Sequence, residues 1–126
     1  MNILVIEDNR TLQGAIRRAL AKSGYQVTVA GDGHEGLDVA CKLLPDLIVL
    51  DIMLPGLSGT CVLRALRNQA ATKIIPVFVL TGLSQKNERR LLEAGATRYF
   101  EKSDSLLDRD FAALIQAVGE CVARRP

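Results

Sequence analysis

The sequence has few cysteines, no long apolar run and no excess of charge of either sign, and each absence excludes a class of protein. Only three cysteines occur, Cys41, Cys61 and Cys121. Their odd number and the lack of C-x-x-C spacing argue against a disulfide framework and suit a reducing compartment. We therefore interpret the cysteines as small residues that help helices to pack.

No stretch of the chain approaches the ~20 apolar residues that a membrane-spanning helix needs. Met1 leads directly into the apolar run Ile3-Leu4-Val5-Ile6, without the basic segment and longer apolar segment of a secretory signal. We therefore expect a cytoplasmic protein that does not engage membranes.

The charges nearly balance, because 16 basic residues accompany 14 acidic ones and the net charge is only +2. Nucleic-acid-binding domains usually concentrate Lys and Arg on one face or helix. The short basic end Arg124-Arg125-Pro126 fits a solvated terminus or the start of a linker at least as well. We expect no direct binding of nucleic acid by this chain.

Length and composition fit one domain. Domains most often have about 100–150 residues, and this chain has 126, of which 48% are apolar and 24% charged. No internal repeat, low-complexity tract or linker divides the sequence. We therefore predict a single domain over residues 1–126.

Short apolar runs alternate with helical patterns along the chain. The predicted strands cover residues 3–6, 27–30, 47–50, 77–80 and 99–100, and the first four are rich in Val, Ile or Leu, as in strands buried on both faces. The predicted helices between them end at Gly24, Pro45 and Gly95, Ser58 is a predicted N-cap, and the last helix starts near Leu107. Five βα repeats predict a parallel sheet covered by helices on both faces.

Polar side chains follow four of the five predicted strands. Glu7 and Asp8 follow the first strand, Asp51 the third, Thr81 the fourth, and Lys102 comes two residues after the fifth. Ligands of open α/β sheets bind just beyond the carboxyl ends of the strands. We therefore expect these five side chains to meet at one edge of the sheet.

Three carboxylates and one ammonium leave about two negative charges uncompensated at this edge. Each like-charge pair at about 4 Å costs about 4 kcal/mol at an effective dielectric of about 20. Either a cation relieves the repulsion or one carboxylate stays protonated; alternatively Asp8 or Asn9 only caps a helix and Asp51 only faces a loop amide. The hard oxygen ligands favour Mg²⁺, which keeps several waters and often bridges to phosphate.

A cation beside these residues gives each remaining group a chemical role. Asp51 becomes a candidate carboxylate nucleophile, of the kind that forms an aspartyl phosphate. Lys102 supplies a point charge for phosphate oxygens, and the Thr81 hydroxyl can donate to one of them. Backbone amides around Met53 and Gly82 are further candidate donors, and a glycine at 82 would allow the backbone to approach closely.

These residues belong to motifs that follow one another along the chain in a recognisable order. The relevant motifs are Glu7-Asp8, residues 45–51 (PDLIVLD), residues 53–59 (MLPGLSG), Thr81-Gly82 and Lys102. In order and spacing, over nearly the whole chain, they strongly resemble the receiver domain of two-component response regulators. The resemblance implies a flavodoxin-like fold, with a doubly wound five-stranded parallel sheet in the order 2-1-3-4-5.

The resemblance also implies a reaction and a cofactor. Asp51 would accept a phosphoryl group from a phosphohistidine of a sensor histidine kinase or a histidine phosphotransfer protein. Asp8 and Asp51 would bind Mg²⁺ directly, Glu7 would bind it through water, and Met53 would offer its backbone carbonyl. The chain would then be a signalling switch rather than an enzyme that turns over a separate substrate.

The family's way of reporting phosphorylation is implied as well. Thr81 and Tyr99 match its switch pair, in which the hydroxyl moves toward the phosphoryl group and the aromatic ring turns inward. The family's output surface, built from the fourth helix, fifth strand and fifth helix, implies a downstream effector protein or domain. A dimer that forms on phosphorylation is also consistent with the resemblance.

Two positions depart from the family pattern. Ser103 follows Lys102 where the family usually has Pro, and a cis bond before a non-proline residue costs about 2.5–4 kcal/mol. Gly82 replaces the commoner Ala. Neither change removes a chemical group from the site.

Other functions fit the sequence less well than the switch does. A receiver-like module that signals by binding alone would not need the complete acidic site. A phosphohydrolase with an Asp nucleophile needs a second Asp where Met53 stands, and a flavodoxin needs a hydroxyl-rich loop after its first strand. The sole histidine, His34, is interpreted as a solvated helix residue, and Lys86, Arg89, Arg90 and Arg98 as a solvated face.

Overall fold

The computed structural model describes residues 1–82, 88–102 and 111–124. Its strands are β1 (Asn2–Ile6), β2 (Gln26–Ala30), β3 (Leu47–Asp51), β4 (Val77–Thr81) and β5 (Arg98–Glu101). The helices within the described residues are α1 (Arg10–Lys22), α2 (Gly33–Leu43), α3 (Gly59–Arg67), α4 (Glu88–Glu93) and α5 (Ala112–Ala123). Strands and helices alternate, as the apolar pattern predicts.

All five strands pair in parallel, in the order β2-β1-β3-β4-β5. The predicted flavodoxin-like order is therefore confirmed. The chain passes from β1 outward to β2 and then returns to the other side of β1 with β3. The carboxyl ends of β1 and β3 consequently flank the point where the strand order reverses, and this is where ligands of such sheets bind.

The sheet separates two hydrophobic cores. Alternate residues of each central strand point to opposite faces, so that Leu4 and Ile6 pack with α2, α3 and α4, whereas Ile3 and Val5 pack with α1 and α5. The same alternation continues in the neighbouring strand β3. Helices cover both faces and hold the strand ends at fixed positions.

Burial differs between central and edge strands. Every residue of β3 and β4 is buried, but in β2 only Ala30 is buried and Gln26 and Thr28 are exposed. The prediction that four strands are buried on both faces is therefore wrong for β2. An edge strand has a neighbour on one side only, and its apolar residues Val27 and Val29 pack against the α1 side alone.

Local signals in the sequence set several element boundaries. Ser58 accepts a hydrogen bond from the amide of Cys61 at 3.3 Å and caps α3, as predicted. Asn9 caps α1 by accepting from the amide of Leu12 at 3.0 Å. Gly24 and Gly95 end α1 and α4 with φ of 97° and 116°, a conformation that glycine adopts without strain. Leu107 lies outside the described residues.

The three cysteines are free. Cys41 donates to the side-chain oxygen of Gln69 at 3.0 Å, and Cys121 packs against the core on the α5 face. Cys61 is exposed on α3, so the packing interpretation is wrong for this residue.

No helix in the described part of the chain is long and apolar enough to cross a membrane.

Candidate functional site

The register of the sheet brings the predicted polar residues to one edge. Ile6 pairs with Leu50, so Glu7 and Asp51 leave neighbouring strands at the same level. Asp51 in turn pairs with Leu80, which precedes Thr81. The amide of Lys102 donates to the Thr81 carbonyl at 2.7 Å and extends the pairing of β4 and β5. Four strand ends thus converge, as the sequence predicts.

An acidic cluster forms at this edge. Carboxylate oxygens of Glu7, Asp8 and Asp51 all lie within 4.8 Å of one another. Glu7 and Asp51 are each 1% exposed, whereas Asp8 lies at the surface. Two buried carboxylates therefore lie beneath one that faces solvent, and an ion can reach the cluster from outside.

Lys102 links the two buried carboxylates. Its Nζ lies 3.1 Å from Asp51 Oδ2 and 3.2 Å from Glu7 Oε1. Burial by itself would lower the pKa of Lys102, but the hydrogen bonds and charges of Asp51 and Glu7 together raise that pKa above its ordinary value. The ammonium therefore stays charged and compensates one of the negative charges.

Glu7 carries the strongest electrostatic effect in the site. Burial, followed by its hydrogen bond with Asp51 and the charge of Asp51, raises the pKa of Glu7 from 4.5 to about 8, although Lys102 opposes this shift. Without a cation, Glu7 therefore keeps a proton at neutral pH. The raised pKa of Glu7 thus relieves part of the repulsion among the carboxylates when no cation is bound.

The cluster fits a small divalent cation. Mg²⁺ binds oxygens at about 2.0–2.1 Å in octahedral geometry, so that two oxygens on one ion are at most about 4.2 Å apart. Oxygens within 4.8 Å of one another are close enough to bind one such ion, directly or through a bound water. Their donor set consists only of oxygen atoms, which suits this hard cation.

The loop after β3 is built closely around Asp51. The amide of Met53 donates to Asp51 Oδ1 at 3.1 Å, which places the Met53 backbone beside the cluster, although the residue as a whole is 60% exposed. The amide of Gly59 donates to the Ile52 carbonyl at 3.0 Å. A Cβ at Gly59 would collide with the Asp51 carbonyl oxygen, so only glycine allows α3 to start so close to Asp51.

Thr81, Gly82 and Tyr99 lie on the β4 and β5 side of the edge. Thr81 is fully buried at the end of β4, and Gly82 is exposed. Among the described residues, no atom lies within 4 Å of a Cβ placed at Gly82. Tyr99 pairs with Val79, two residues before Thr81, and its partly buried ring packs on the core of that same face.

One residue close to the site went unrecognised in the sequence. Gln13 on α1 donates its side-chain amide to the carbonyls of Glu7 at 2.9 Å and Ala30 at 3.2 Å. A helical pattern marks Gln13 only as a polar residue beside the apolar stripe. The available signal was its place in the first turns of a helix that directly follows the Glu7-Asp8 pair.

The remaining sequence interpretations concern residues away from the acidic cluster. His34 is exposed in the first turn of α2. Arg89 pairs with Glu93 and Arg98 with Glu120 in exposed ion pairs, as expected of a solvated face. Ser103 and Lys86 lie outside the described residues.

Fold and site together define a doubly wound α/β domain with an acidic cluster where the strand order reverses. The family model of the response regulator receiver domain matches residues 3–109. The chain therefore belongs to the response regulator receiver domain family, as its motifs indicate.

A sequence relative and two solved structures illustrate the match. The response regulator MprA of Mycobacterium avium is 41% identical over 107 residues, which are 84% of this chain and 46% of that protein. The Francisella response regulator 1452 receiver domain superposes with a TM-score of 0.86 at 31% identity, covering 98% of this chain and 97% of that one. The receiver domain of sensor histidine kinase PA1611 from Pseudomonas aeruginosa, with a magnesium ion coordinated in its active site cleft, gives 0.85 at 29% identity over 97% of each chain.

The chain spans about half the length of the curated relatives that it matches.

Proposed function

We propose that this chain is the phosphoacceptor domain of a two-component phosphorelay and that Asp51 receives the phosphoryl group. The observation that carries the proposal is the position of Asp51, buried at the end of β3. There its carboxylate lies 3.1 Å from the ammonium of Lys102 and within 4.8 Å of the carboxylates of Glu7 and Asp8. We further propose that residues 1–126 form one receiver domain in the cytoplasm.

Mg²⁺ is the proposed cofactor. Asp8 and Asp51 would hold it directly, Glu7 through water, and Met53 through its backbone carbonyl. The oxygen-only cluster and the nearby Met53 backbone support this ligand set, as does the magnesium ion of the PA1611 receiver domain. When bound, the cation supplies positive charge that offsets the charge on the phosphoryl oxygens.

The proposed reaction is a transfer between two side chains. An oxygen of the ionised Asp51 attacks the phosphorus of a phosphohistidine, and a P–O bond forms as the P–N bond breaks. The imidazole nitrogen keeps the electron pair of the broken bond and takes up a proton. Lys102 remains charged throughout and binds a phosphoryl oxygen, because the high pKa of Lys102 prevents loss of its proton.

Phosphorylation would then be reported through β4 and β5. The Thr81 hydroxyl and the amide of Gly82 would bind phosphoryl oxygens, and the Tyr99 ring would turn inward as Thr81 moves. Tyr99 pairs with Val79, and Thr81 follows two residues later on the same face of the sheet. This arrangement supports the coupling. Moving the equilibrium between the two conformers of the switch from 1:99 to 99:1 requires about 5.5 kcal/mol. A few charge-assisted hydrogen bonds and a cation can supply this free energy.

The proposed partners follow from this role. The donor is a sensor histidine kinase or a histidine phosphotransfer protein, and the recipient of the signal is an effector protein or domain. A dimer that forms on phosphorylation is an additional proposed state. The chain itself turns over no separate substrate and only catalyses its own phosphorylation and dephosphorylation.

A titration with Mg²⁺ and then with beryllium fluoride tests the proposal. We expect Mg²⁺ to shift the backbone amide signals near Asp8 and Asp51, and the fluoride to shift those of Thr81 and Tyr99. Asp51→Asn abolishes the second response, whereas Asp38→Asn, which removes an exposed carboxylate on α2, leaves both intact. If Mg²⁺ moves no signal near Asp8 and Asp51, the proposal is wrong and a module that signals by binding alone is favoured.

A further inference from the structure

We propose that Gln13 is a positioning residue for the cation site: its side-chain amide fixes the backbone that presents Glu7 and Asp8 and thereby raises the affinity for Mg²⁺. This inference rests on the proposed function, because it assumes that the acidic cluster binds the cation.

The hydrogen bonds of Gln13 join three elements. From α1, its Nε2 donates to the carbonyl of Glu7 at 2.9 Å and to the carbonyl of Ala30, the last residue of β2, at 3.2 Å. Both partners are carbonyl oxygens, which only accept, so the nitrogen of the side-chain amide must face them. The Ala30 carbonyl also accepts from the amide of Glu7 at 3.0 Å. Gln13 and Glu7 therefore share one acceptor at the end of β2.

Because the peptide bond is planar, the Gln13 hydrogen bond to the Glu7 carbonyl also restrains the proposed metal ligands. The Glu7 carbonyl and the Asp8 amide belong to one planar peptide unit. A hydrogen bond that fixes the Glu7 carbonyl therefore fixes the orientation of this unit and the direction in which Asp8 leaves it. The Glu7 side chain starts from the same residue, so one donor restrains the backbone of two proposed ligands.

The surroundings explain why a hydrogen bond is needed at this point. Ile6 is the last residue of β1 that pairs with both neighbouring strands, and α1 does not begin until Arg10. A cleft of about 680 Å³ borders the connecting loop and is lined by Asp8 and Gln13, among others. The cleft leaves this side of the loop without close packing, and the Gln13 hydrogen bonds restrain the loop from there.

The expected size of the effect follows from other metal sites. Replacing a residue that orients metal ligands typically lowers metal affinity about 10–100-fold. Gln13→Met keeps the length of the side chain but removes both donors. We expect this variant to bind Mg²⁺ at least about 10-fold more weakly. Gln116→Met is the matched control, because Gln116 is an exposed residue of α5 whose amide donates to Glu120 at 3.4 Å.

The experiment compares the wild type with both variants. Mg²⁺ affinity is measured from the amide signals of Asp8 and Asp51, and stability is measured by urea unfolding. The rate at which a small acyl phosphate phosphorylates the protein is measured at increasing Mg²⁺ concentrations. In Gln13→Met we expect weaker binding and a higher half-saturating Mg²⁺ concentration, with the wild-type rate regained at saturation. Gln116→Met should match the wild type in both quantities.

Other outcomes separate the two proposals. If Gln13→Met is less stable yet binds Mg²⁺ as tightly as the wild type, Gln13 is only structural and this inference is overturned, while the proposed function stands. If the wild type itself does not bind Mg²⁺, the proposed function fails.

A measurement on the unmodified protein covers the case in which Gln13→Met does not fold. The side-chain amide protons of Gln13 should exchange with solvent much more slowly than those of Gln116, with and without Mg²⁺. Equal exchange rates for the two side chains would overturn the inference.

Discussion

Lys102 and Glu7 determine how much negative charge the acidic site holds without an ion. Lys102 compensates one carboxylate through contacts of 3.1 Å with Asp51 and 3.2 Å with Glu7. The proton retained by Glu7 compensates a second. Binding of a cation must displace this proton, because a protonated carboxyl is a poor metal ligand. Protonation and metal binding are therefore alternative ways of stabilising the same arrangement.

The raised pKa of Glu7 makes the stability of the metal-free protein depend on pH. Between 4.5 and about 8 the folded state holds a proton on Glu7 that the unfolded state releases. The free energy of unfolding should therefore fall as pH rises through this window, by an amount on the order of a few kcal/mol. Urea unfolding in the presence of a chelator measures this loss.

Glu7→Gln is the matching variant, because it retains the shape of the side chain and cannot ionise. Its unfolding free energy should lack the part of the pH slope that Glu7 contributes, so that the variant becomes more stable than the wild type as pH approaches about 8. Excess Mg²⁺ should remove the advantage by stabilising the ionised wild-type carboxylate. Parallel slopes for the two proteins without metal would show that Glu7 ionises normally.

At the scale of elements, the junction of β3 and α3 places Asp51. Gly59 begins α3 directly against the Asp51 backbone, and a Cβ there would collide with the Asp51 carbonyl oxygen. The helix and the strand therefore cannot keep their present spacing with any other residue at this position. The PGLSG part of the motif sets the geometry of the site as well as that of the turn.

Gly59→Ala should destabilise the protein by about 1–3 kcal/mol, since the added methyl forces the backbone apart. It should also weaken the response of the Asp51 amide signal to Mg²⁺. Gly119→Ala on α5 is the control, because a Cβ there meets no atom of the described residues within 4 Å and alanine favours a helix by about 0.5–1 kcal/mol. Chemical unfolding tests both, and equal stability of the two variants would contradict the steric explanation.

Arg67 connects α3 to the segments that precede β4 and β5. Its guanidinium donates to the carbonyls of Gly95 at 2.9 Å, Lys73 at 3.0 Å and Ile75 at 2.7 Å. Lysine cannot match this planar set of donors. The connection fixes the α4–β5 corner, and so the position at which Tyr99 enters the sheet.

Arg67→Lys should lower the free energy of unfolding by about 1–3 kcal/mol, because the carbonyls of Gly95 and Ile75 lose partly buried hydrogen bonds. Arg64→Lys, an exposed position on the same helix, should change it by less than about 0.5 kcal/mol. Thermal and urea unfolding of both variants measure the difference. A loss of similar size in Arg64→Lys would point to the helix itself rather than to the three carbonyl bonds.

The sequence predicts those features that depend on the order of the elements, and it fails for those that depend on the assembled sheet. The meeting of Glu7, Asp51, Thr81 and Lys102 follows from the alternation of elements, since parallel strands expose their carboxyl ends together. The strand order is predicted only by the resemblance to receiver domains. The partial exposure of β2 could not be predicted, because edge position depends on the whole sheet. Gln13 escaped notice because its acceptors are backbone carbonyls, which leave no pattern in the sequence.

At the scale of the whole molecule, the order β2-β1-β3-β4-β5 gives each part of the site a distinct place. β1 and β3 carry the acidic cluster at the point of reversal, whereas β4 and β5 carry Thr81 and Tyr99 on the side that leads to α4 and α5. A change at Asp51 is therefore next to the strands that would report it. The chain matches about half the length of MprA, so the response that follows is proposed for the chain together with an effector.

The central claim is that Asp51 accepts the phosphoryl group, and mapping the modified residue tests it most directly. The protein is incubated with Mg²⁺ and a small acyl phosphate, its intact mass is measured, and the modified residue is identified by fragmentation. We predict that the wild type and Asp38→Asn gain one phosphoryl group on Asp51, only when Mg²⁺ is present, and that Asp51→Asn gains none. A wild type that stays unmodified, or an Asp51→Asn variant that still gains the group, would contradict the account.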